Sequence, residues 1–385
     1  MAGFKHYKLE LLKPDFDSHL TDLVLELQHL RKLQLSGTTP GPMFFQLKSV
    51  FHLLESLGSA RIEGNRTTIE EMVEAKISPP KDRSQGILEI ENMEQALKFI
   101  DDTVKQGAGI SRAYILELHK ITVNNLIEEG DKTPGYFRVG NVTINRSSHR
   151  PPDYTQVDSY MDELFDFLRT EHDSKYDLIK IALAHHRFAW IHPFHNGNGR
   201  VVRLFTYALL IEWGFNVRQG RVLNPSAVFC MNRDRYYDML SAADSGDKNG
   251  LTTWCEYVLE GILVELSKID RLSDYKYLSK NILRPAVACA QERELITKLE
   301  AAILKVAIEK IIFKAADIEH LMPGKIPQER SRIVRRMKEL RLIEPIKEKG
   351  RNYVLELSRG PLLRGIIKSL EEEGFISINV QRPAI

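Results

Sequence analysis

Cysteine is scarce in this 385-residue chain: Cys230, Cys255 and Cys289 are the only three, an odd number with no CxxC spacing. That excludes a disulfide framework or a cysteine-held zinc site as the organising device, and it fits a reducing compartment. Long apolar runs are missing too. Residues 1–12 intersperse lysines with isolated apolar side chains, so neither a secretory signal nor a membrane anchor is expected, and the chain reads as a cytoplasmic protein. Charge of one sign is lacking: 54 Lys and Arg face 52 Asp and Glu, so any basic surface has to be local. Internal repeats and low-complexity tracts are absent.

What is present is the composition of a soluble globular protein, 43% hydrophobic and 28% charged, long enough for two or three cores. Helical periodicity marks 17–35, 45–62, 87–104 and 111–129, with Ser111 placed as an N-cap. The texture changes over 133–144, where Pro134, Gly135 and Gly140 flank the alternating Val142-Thr143-Ile144 and a short hairpin is expected. Helices resume at 156–171, 176–190, 199–212, 233–243 and 251–269. Beyond 270 the order is three helices (293–308, 315–320, 328–340) and two strands (343–346, 353–357), the order of a winged helix-turn-helix.

The densest chemistry lies in His192-Pro193-Phe194-His195-Asn196-Gly197-Asn198-Gly199-Arg200. Glycines there permit positive φ and close backbone approach to a ligand. The helix that follows aims its free N–H groups and dipole at the same spot, which makes a phosphate cradle. Arg200 and Arg203 add charged donors from one helix face, and His192 stands one short interval upstream as a candidate general base. Two bland alternatives compete. Asn-Gly and Gly-Asn pairs are common in plain turns, and His185, His186, His192 and His195 raise a metal site, although no HExxH spacing occurs. The segment is no Walker A loop either, because no Gly-Lys-Ser/Thr follows.

His192-Pro193-Phe194-x-Asn196-Gly197-Asn198-Gly199-Arg200-x-x-Arg203 resembles the Fic-family signature HPFx(D/E)GNGRxxR, with His185, Phe188 and Ile191 at the positions of its HxxFxxI lead-in. The resemblance implies a mainly α fold: a Fic-type helical core with a β-hairpin flap, here followed by the winged helix-turn-helix. It implies a nucleotidyltransferase that moves AMP from ATP, with Mg²⁺, onto a Ser, Thr or Tyr hydroxyl of a protein, itself included. His192 would be the base. Gly197, Asn198 and Gly199 would line the anion hole, and Arg200 and Arg203 would hold the β- and γ-phosphates. Asn196 stands where the family has its acidic metal ligand, and it brings an amide in place of a charge. Tyr136, Phe137, Arg138 and Val142 fall on the implied target-binding flap, which would hold its target by strand addition. Tyr236 and Tyr237 fall on the segment that closes over the adenine.

Ser59-Ala60-Arg61-Ile62-Glu63-Gly64 would pass for an ordinary helix end, but it matches the family's inhibitory motif (S/T)xxxE(G/N). By that resemblance Ser59, Glu63 and Gly64 form a brake in which Glu63 pairs with Arg203. Relatives of this layout often dimerise, and in some the same glutamate assists removal of AMP. Between 325 and 351 stand ten Lys and Arg against four Glu, a footprint for DNA phosphates or for protein contacts. The alternatives to AMP transfer are a DNA-binding regulator with a nucleotide-sensing core and transfer of another nucleotide or a phosphate group. The expected parts are a helical region with the brake over 1–100, the catalytic core over 101–270, the winged helix over 280–360 and a tail over 361–385.

Overall fold

The computed structural model describes residues 4–32, 38–144, 147–215, 225–230, 232–347 and 350–376. In chain order the helices are α1 (His19–Lys32), α2 (Gly41–Ile62), α3 (Ile69–Ile77), α4 (Gln85–Thr103), α5 (Arg112–Thr122), α6 (Val157–Arg169), α7 (Asp177–Ile191) and α8 (Asn198–Glu212). They continue with α9 (Pro225–Cys230), α10 (Arg233–Ala243), α11 (Lys248–Ser273), α12 (Tyr275–Leu278), α13 (Arg284–Glu292), α14 (Lys298–Lys310), α15 (Pro327–Glu339) and α16 (Leu363–Glu372). Among the described residues one sheet forms, the antiparallel pair β1 (Ile343–Pro345) and β2 (Tyr353–Leu355), in the register Ile343↔Leu355. The mainly helical class is as the periodicity predicts. No described helix is long and apolar enough to cross a membrane.

The chain forms two compact units. The first comprises 1–34, 52–67 and 82–267, and the second 35–51, 68–81 and 268–385. The helices expected as a separate region over 1–100 are shared between the two. At the heart of the first unit lie α7 and α8. A helix that is apolar nearly all round belongs in the interior, and these two bury every residue except Ala189 and Gly199. Trp254 of α11 is fully buried and donates its indole N–H to the Ala182 carbonyl of α7 at 2.6 Å. Ser111 caps α5 as expected, accepting from the Tyr114 N–H.

Two expectations of local structure are corrected. The helix expected over 111–129 ends at Thr122, and Asn125 has φ +56°, a left-handed conformation that asparagine tolerates and that stops a helix. The freed segment turns so that the carbonyls of Glu128 and Glu129 receive the side chains of Asn196 and Arg200. The hairpin expected over 133–144 does not form: no described residue of this segment lies in a β-ladder. Its backbone is tied instead to the turn after α7, because Arg138 donates its own N–H to Pro193 and its guanidinium to the carbonyls of His192, Gly140 and Pro152.

In the second unit, α14, a 3₁₀ turn at Ala315–Leu321 and α15 precede β1 and β2, and an isolated bridge joins Phe313 to Tyr353. Arg330 is paired with Glu319 and Arg336 with Glu300, while Arg332 and Arg335 are exposed on α15; Lys349, part of the basic run, lies outside the described residues. Gln46 of α2 extends the strand edge. Its amide donates to the Leu355 carbonyl at 2.8 Å and accepts the Leu357 N–H at 2.7 Å, both in buried surroundings. Gln46→Leu removes both partners at once, so two buried backbone groups lose their bonds at a cost of about 2–4 kcal/mol. Urea unfolding of the Gln46→Leu protein followed by far-UV circular dichroism should show that loss.

Candidate functional site

Six residues between α7 and α8, His192 to Gly197, make the site together with the start of α8. His192 caps α7 in the left-handed region, φ +53° and ψ +61°, which a β-carbon makes unfavourable by about 1–3 kcal/mol. Neighbouring bonds hold it there. The His192 N–H reaches the Phe188 carbonyl at 3.0 Å, its own carbonyl accepts from Arg138 Nε at 2.9 Å, and the next carbonyl, Pro193, takes the Arg138 N–H. Phe194 is fully buried and stacks flat on His119, with ring centroids 3.7 Å apart. Asn198 then clips the turn shut: its Oδ1 accepts the Phe194 N–H and its Nδ2 donates to the Phe194 carbonyl, both at 2.9 Å. Gly197, φ +77°, starts α8 from the left-handed region, and a Cβ there would also lie 2.9 Å from Val123.

Beside this turn opens a cavity of about 300 Å³. Ala189 and Gly199, the two positions not buried on α7 and α8, both line it, together with His192, Asn198, Arg203, Tyr236 and Tyr237. The His192 ring is bonded to the Ala189 backbone, which leaves one ring nitrogen for the cavity. Burial pushes its pKa down to about 4, outweighing the Ala189 bond and the Glu63 charge, so the ring is neutral at physiological pH. A neutral imidazole above the N-terminus of a helix is a proton acceptor next to an anion site.

The two arginines of the Gly-rich segment have different surroundings. Arg203 donates through Nε to Ser59 Oγ (2.7 Å) and through Nη2 to the Ser59 carbonyl (3.0 Å) and Glu63 Oε1 (2.7 Å). Its Nη1 has no hydrogen-bond partner, and the residue lines the cavity. Burial works against the Glu63 carboxylate, but the Arg203 charge and hydrogen bond hold its pKa below the usual value. Glu63 lies so close to the start of α8 that a Cβ on Gly199 would meet its Oε1 at 2.1 Å, and Gly64 leaves α2 at φ +109°. Arg200, by contrast, is fully buried and does not line the cavity. It is paired with Glu89 at 2.9 Å and donates to the Glu129 carbonyl at 2.7 Å.

Other positions named from the sequence fall as follows. Asn196 does not line the cavity. Its Oδ1 accepts the Gly197 N–H at 2.7 Å and its Nδ2 points to the Glu128 carbonyl. On the flap segment Tyr136 is exposed, Phe137 packs on Phe194 with centroids 5.5 Å apart, Arg138 is buried, and Val142 is half-buried. Tyr236 is buried and its hydroxyl meets His185 Nε2 at 2.9 Å, whereas Tyr237 is half-buried under Arg233. The four neighbouring histidines do not converge: His185 bonds Thr206 and Tyr236, His186 bonds Tyr7 and Asp244, and His195 receives the Val139 N–H. No group of three or more His, Cys, Asp or Glu among the described residues is arranged to hold a metal ion.

Sequence reasoning missed His119, Glu89 and the anchoring role of Arg138. His119 Nδ1 accepts the Gly135 N–H, so Nε2 carries the proton and donates to the Asn196 carbonyl, joining flap and turn; burial pushes its pKa down to about 4 despite nearby Asp131. The bonds of His119 to Asn196 and of Arg138 to His192 span more than fifty residues in sequence, and no local pattern announces such a pairing.

Residues 109–210 match the model of the Fic/DOC family. Among curated proteins, the chain is 30% identical over 202 residues to a protein adenylyltransferase Fic of Drosophila virilis, covering 51% of this chain and 38% of that protein. It is 28% identical over 194 residues to one of Nematostella vectensis, covering 49% of this chain and 42% of that protein. The chain thus spans about two fifths of the length of these relatives. Among solved structures, a Fic family protein from Desulfovibrio desulfuricans G20 shares the fold with a TM-score of 0.55 at 19% identity, over 91% of this chain and 98% of that one. A Fic domain containing signaling protein from Bacteroides thetaiotaomicron does so at 0.53 and 17%, over 66% and 97%. The turn from His192 to Arg203 lies inside the segment that matches the Fic/DOC family model.

Proposed function

We propose that the first unit is a protein adenylyltransferase that transfers AMP from ATP to a side-chain hydroxyl. The observation that carries this is the neutral His192 held beside a cavity that ends on the α8 N-terminus and on the unpartnered Nη1 of Arg203. The triphosphate lies along Asn198, Gly199 and Arg203, where helix N–H groups and a guanidinium meet developing negative charge. The free nitrogen of His192 takes the proton of the incoming hydroxyl. The new O–Pα bond forms as the bridging Pα–O bond to the β-phosphate breaks, and pyrophosphate leaves. Such transfer depends on position and charge more than on covalent chemistry. Relatives named for this activity support the reading.

Magnesium enters with the nucleotide. Asn196 does not fit a resident metal, since its oxygen is engaged by Gly197 and it has no charge, so no step is routed through a protein-held ion.

Glu63 is the brake. Its carboxylate occupies the anion position at the start of α8 and neutralises Arg203, so the triphosphate meets both a lost partner and a like charge. Glu63→Gly should therefore raise auto-modification by ATP about a hundredfold, the scale of a misplacement near 1 Å. Intact-mass spectrometry reads the added AMP, and an unchanged rate would remove the brake. His192→Ala in the released protein should abolish labelling; persistent labelling sinks the base assignment.

The pH dependence has a definite sign. His192 and His119 have folded pKa values near 4 against about 6.5 unfolded, and His185 and His149 are lowered as well by burial. Below about 6.5 the unfolded chain binds protons that the native state refuses, His192 and His119 each adding up to about 1.4 kcal/mol of lost stability per pH unit down to about 4, and His185 and His149 acting in the same direction. Thermal unfolding followed between pH 8 and 5 should be level above 7 and fall below 6.5. Initial rates of the Glu63→Gly protein should stay level between pH 8 and 6, because His192 keeps its lone pair throughout.

A further inference from the structure

The second unit carries chemistry that AMP transfer does not use. Its helix α15 starts from Ile326 and Pro327, with Glu329 accepting the Ile326 N–H at 3.1 Å. One side of α15 buries Val334 and Met337, with Ile333 half-buried beside them. The opposite side is polar. Gln328, Ser331, Arg332 and Arg335 are all exposed, and their spacing of i, i+3, i+4 and i+7 places them in one stripe two turns long. No large apolar side chain of α15 is exposed among the described residues.

Nearby carboxylates are engaged within the fold and leave this face basic. Glu300 caps α14 and pairs with Arg336, Glu319 pairs with Arg330, Glu329 caps α15, and Glu344 accepts from Gln46. Arg332, Arg335, Lys338, Lys347 and Arg351 are exposed, with no carboxylate at ion-pair distance among the described residues. Glu339, at the far end of α15, is the exposed acid on the helix after its first turn. Lys347 and Arg351 flank the turn between β1 and β2, of which 348–349 lie outside the described residues. The root of that turn is fixed: the Ile346 N–H bonds the Asn352 carbonyl at 3.0 Å, and Phe313 and Tyr353 exchange backbone bonds of 3.0 and 2.9 Å.

We propose that the second unit binds duplex DNA. α15 lies in the major groove with Gln328, Ser331, Arg332 and Arg335 toward base edges and phosphates, and Lys347 and Arg351 meet the phosphate backbone beside it. A helix about 10–12 Å across fits a groove about 12 Å wide. Gln and Arg are the side chains that pair bidentately with adenine and guanine in that groove, and the first turns of a helix so placed carry the base contacts. A stripe without exposed apolar side chains offers no anchor to a partner helix or an acyl chain. Duplex RNA does not fit, because its major groove is too narrow for side chains to read. This inference is independent of AMP transfer, since none of these residues lines the cavity of the first unit.

The test is fluorescence anisotropy of a labelled, mixed-sequence DNA duplex titrated with the full chain. Half-saturation is expected between about 1 and 100 μM near physiological salt. The logarithm of the binding constant should fall against the logarithm of salt with a slope of about −3 to −4, the value for four neutralised phosphates. Arg332→Gln combined with Arg335→Gln should weaken binding about tenfold or more and flatten the slope by about 2, and Lys347→Gln combined with Arg351→Gln should flatten it similarly. All four positions are exposed, so the unfolding temperature of both variants should stay within a few degrees of the parent. No binding up to about 100 μM, the weak end of non-specific association, would overturn the proposal. So would an affinity that either double variant leaves unchanged, or duplex RNA of the same sequence binding as tightly as the DNA.

Discussion

The left-handed residue at the end of α7 is the constraint on which the site depends. A histidine with positive φ is strained, and it persists because bonds from outside the turn over-determine it. Arg138 is the main one. Its guanidinium and backbone N–H tie a segment fifty residues upstream to the carbonyls of His192 and Pro193, and in doing so they use the groups that would otherwise pair that segment with itself. The absence of a β-ladder in the flap segment and the left-handed backbone of His192 thus share one set of bonds.

Around that turn, buried charge is arranged in opposed pairs. Two guanidiniums on one helix, three residues apart and inaccessible to solvent, would be costly if left alone. Arg200 is matched by Glu89 and the Glu129 carbonyl, and Arg203 by Glu63 and Ser59. The pairs are not equivalent. Arg200 is buried away from the cavity, which makes it part of the scaffold. Arg203 lines the cavity and has one nitrogen without a hydrogen-bond partner, and its carboxylate partner, Glu63, stands just past the end of α2, next to a glycine with no β-carbon to constrain it. Nearby histidines are neutral for the same reason that the arginines need partners: the interior penalises charge.

The hydrogen bonds that link Tyr7, His186 and Asp244 extend this logic to residues 4–9. A segment with no regular secondary structure bonds a cavity-lining histidine, His186, through the Tyr7 phenol, which is held by a cation over its ring and by a glycine beside it. Loops gain precision when rigid elements hold them, and here α7 supplies His186 and Arg187 side by side for that purpose.

Much of this was legible in the residues themselves. Periodicity located most of the longer helices, since burial of one face leaves a repeating spacing, but it passed over α3, α9, α12 and α13, and α16 forms in what was expected to be a tail over 361–385. The run from His192 to Arg203 carried the site because its parts are adjacent: base, turn glycines and helix N-terminus all come from one stretch of backbone, so local rules suffice. The hairpin over 133–144 and the helical extension to 129 were misread because local propensity was overruled by partners far along the chain: Arg138 reaching 192, and Glu129 meeting Arg200. Which arginine lines the cavity, that the side-chain oxygen of Asn196 is already engaged and which tyrosine bonds His186 were settled only by tertiary structure. Hydrogen bonds and charge pairs act through distance in space, and a linear sequence encodes that distance only after the chain has folded.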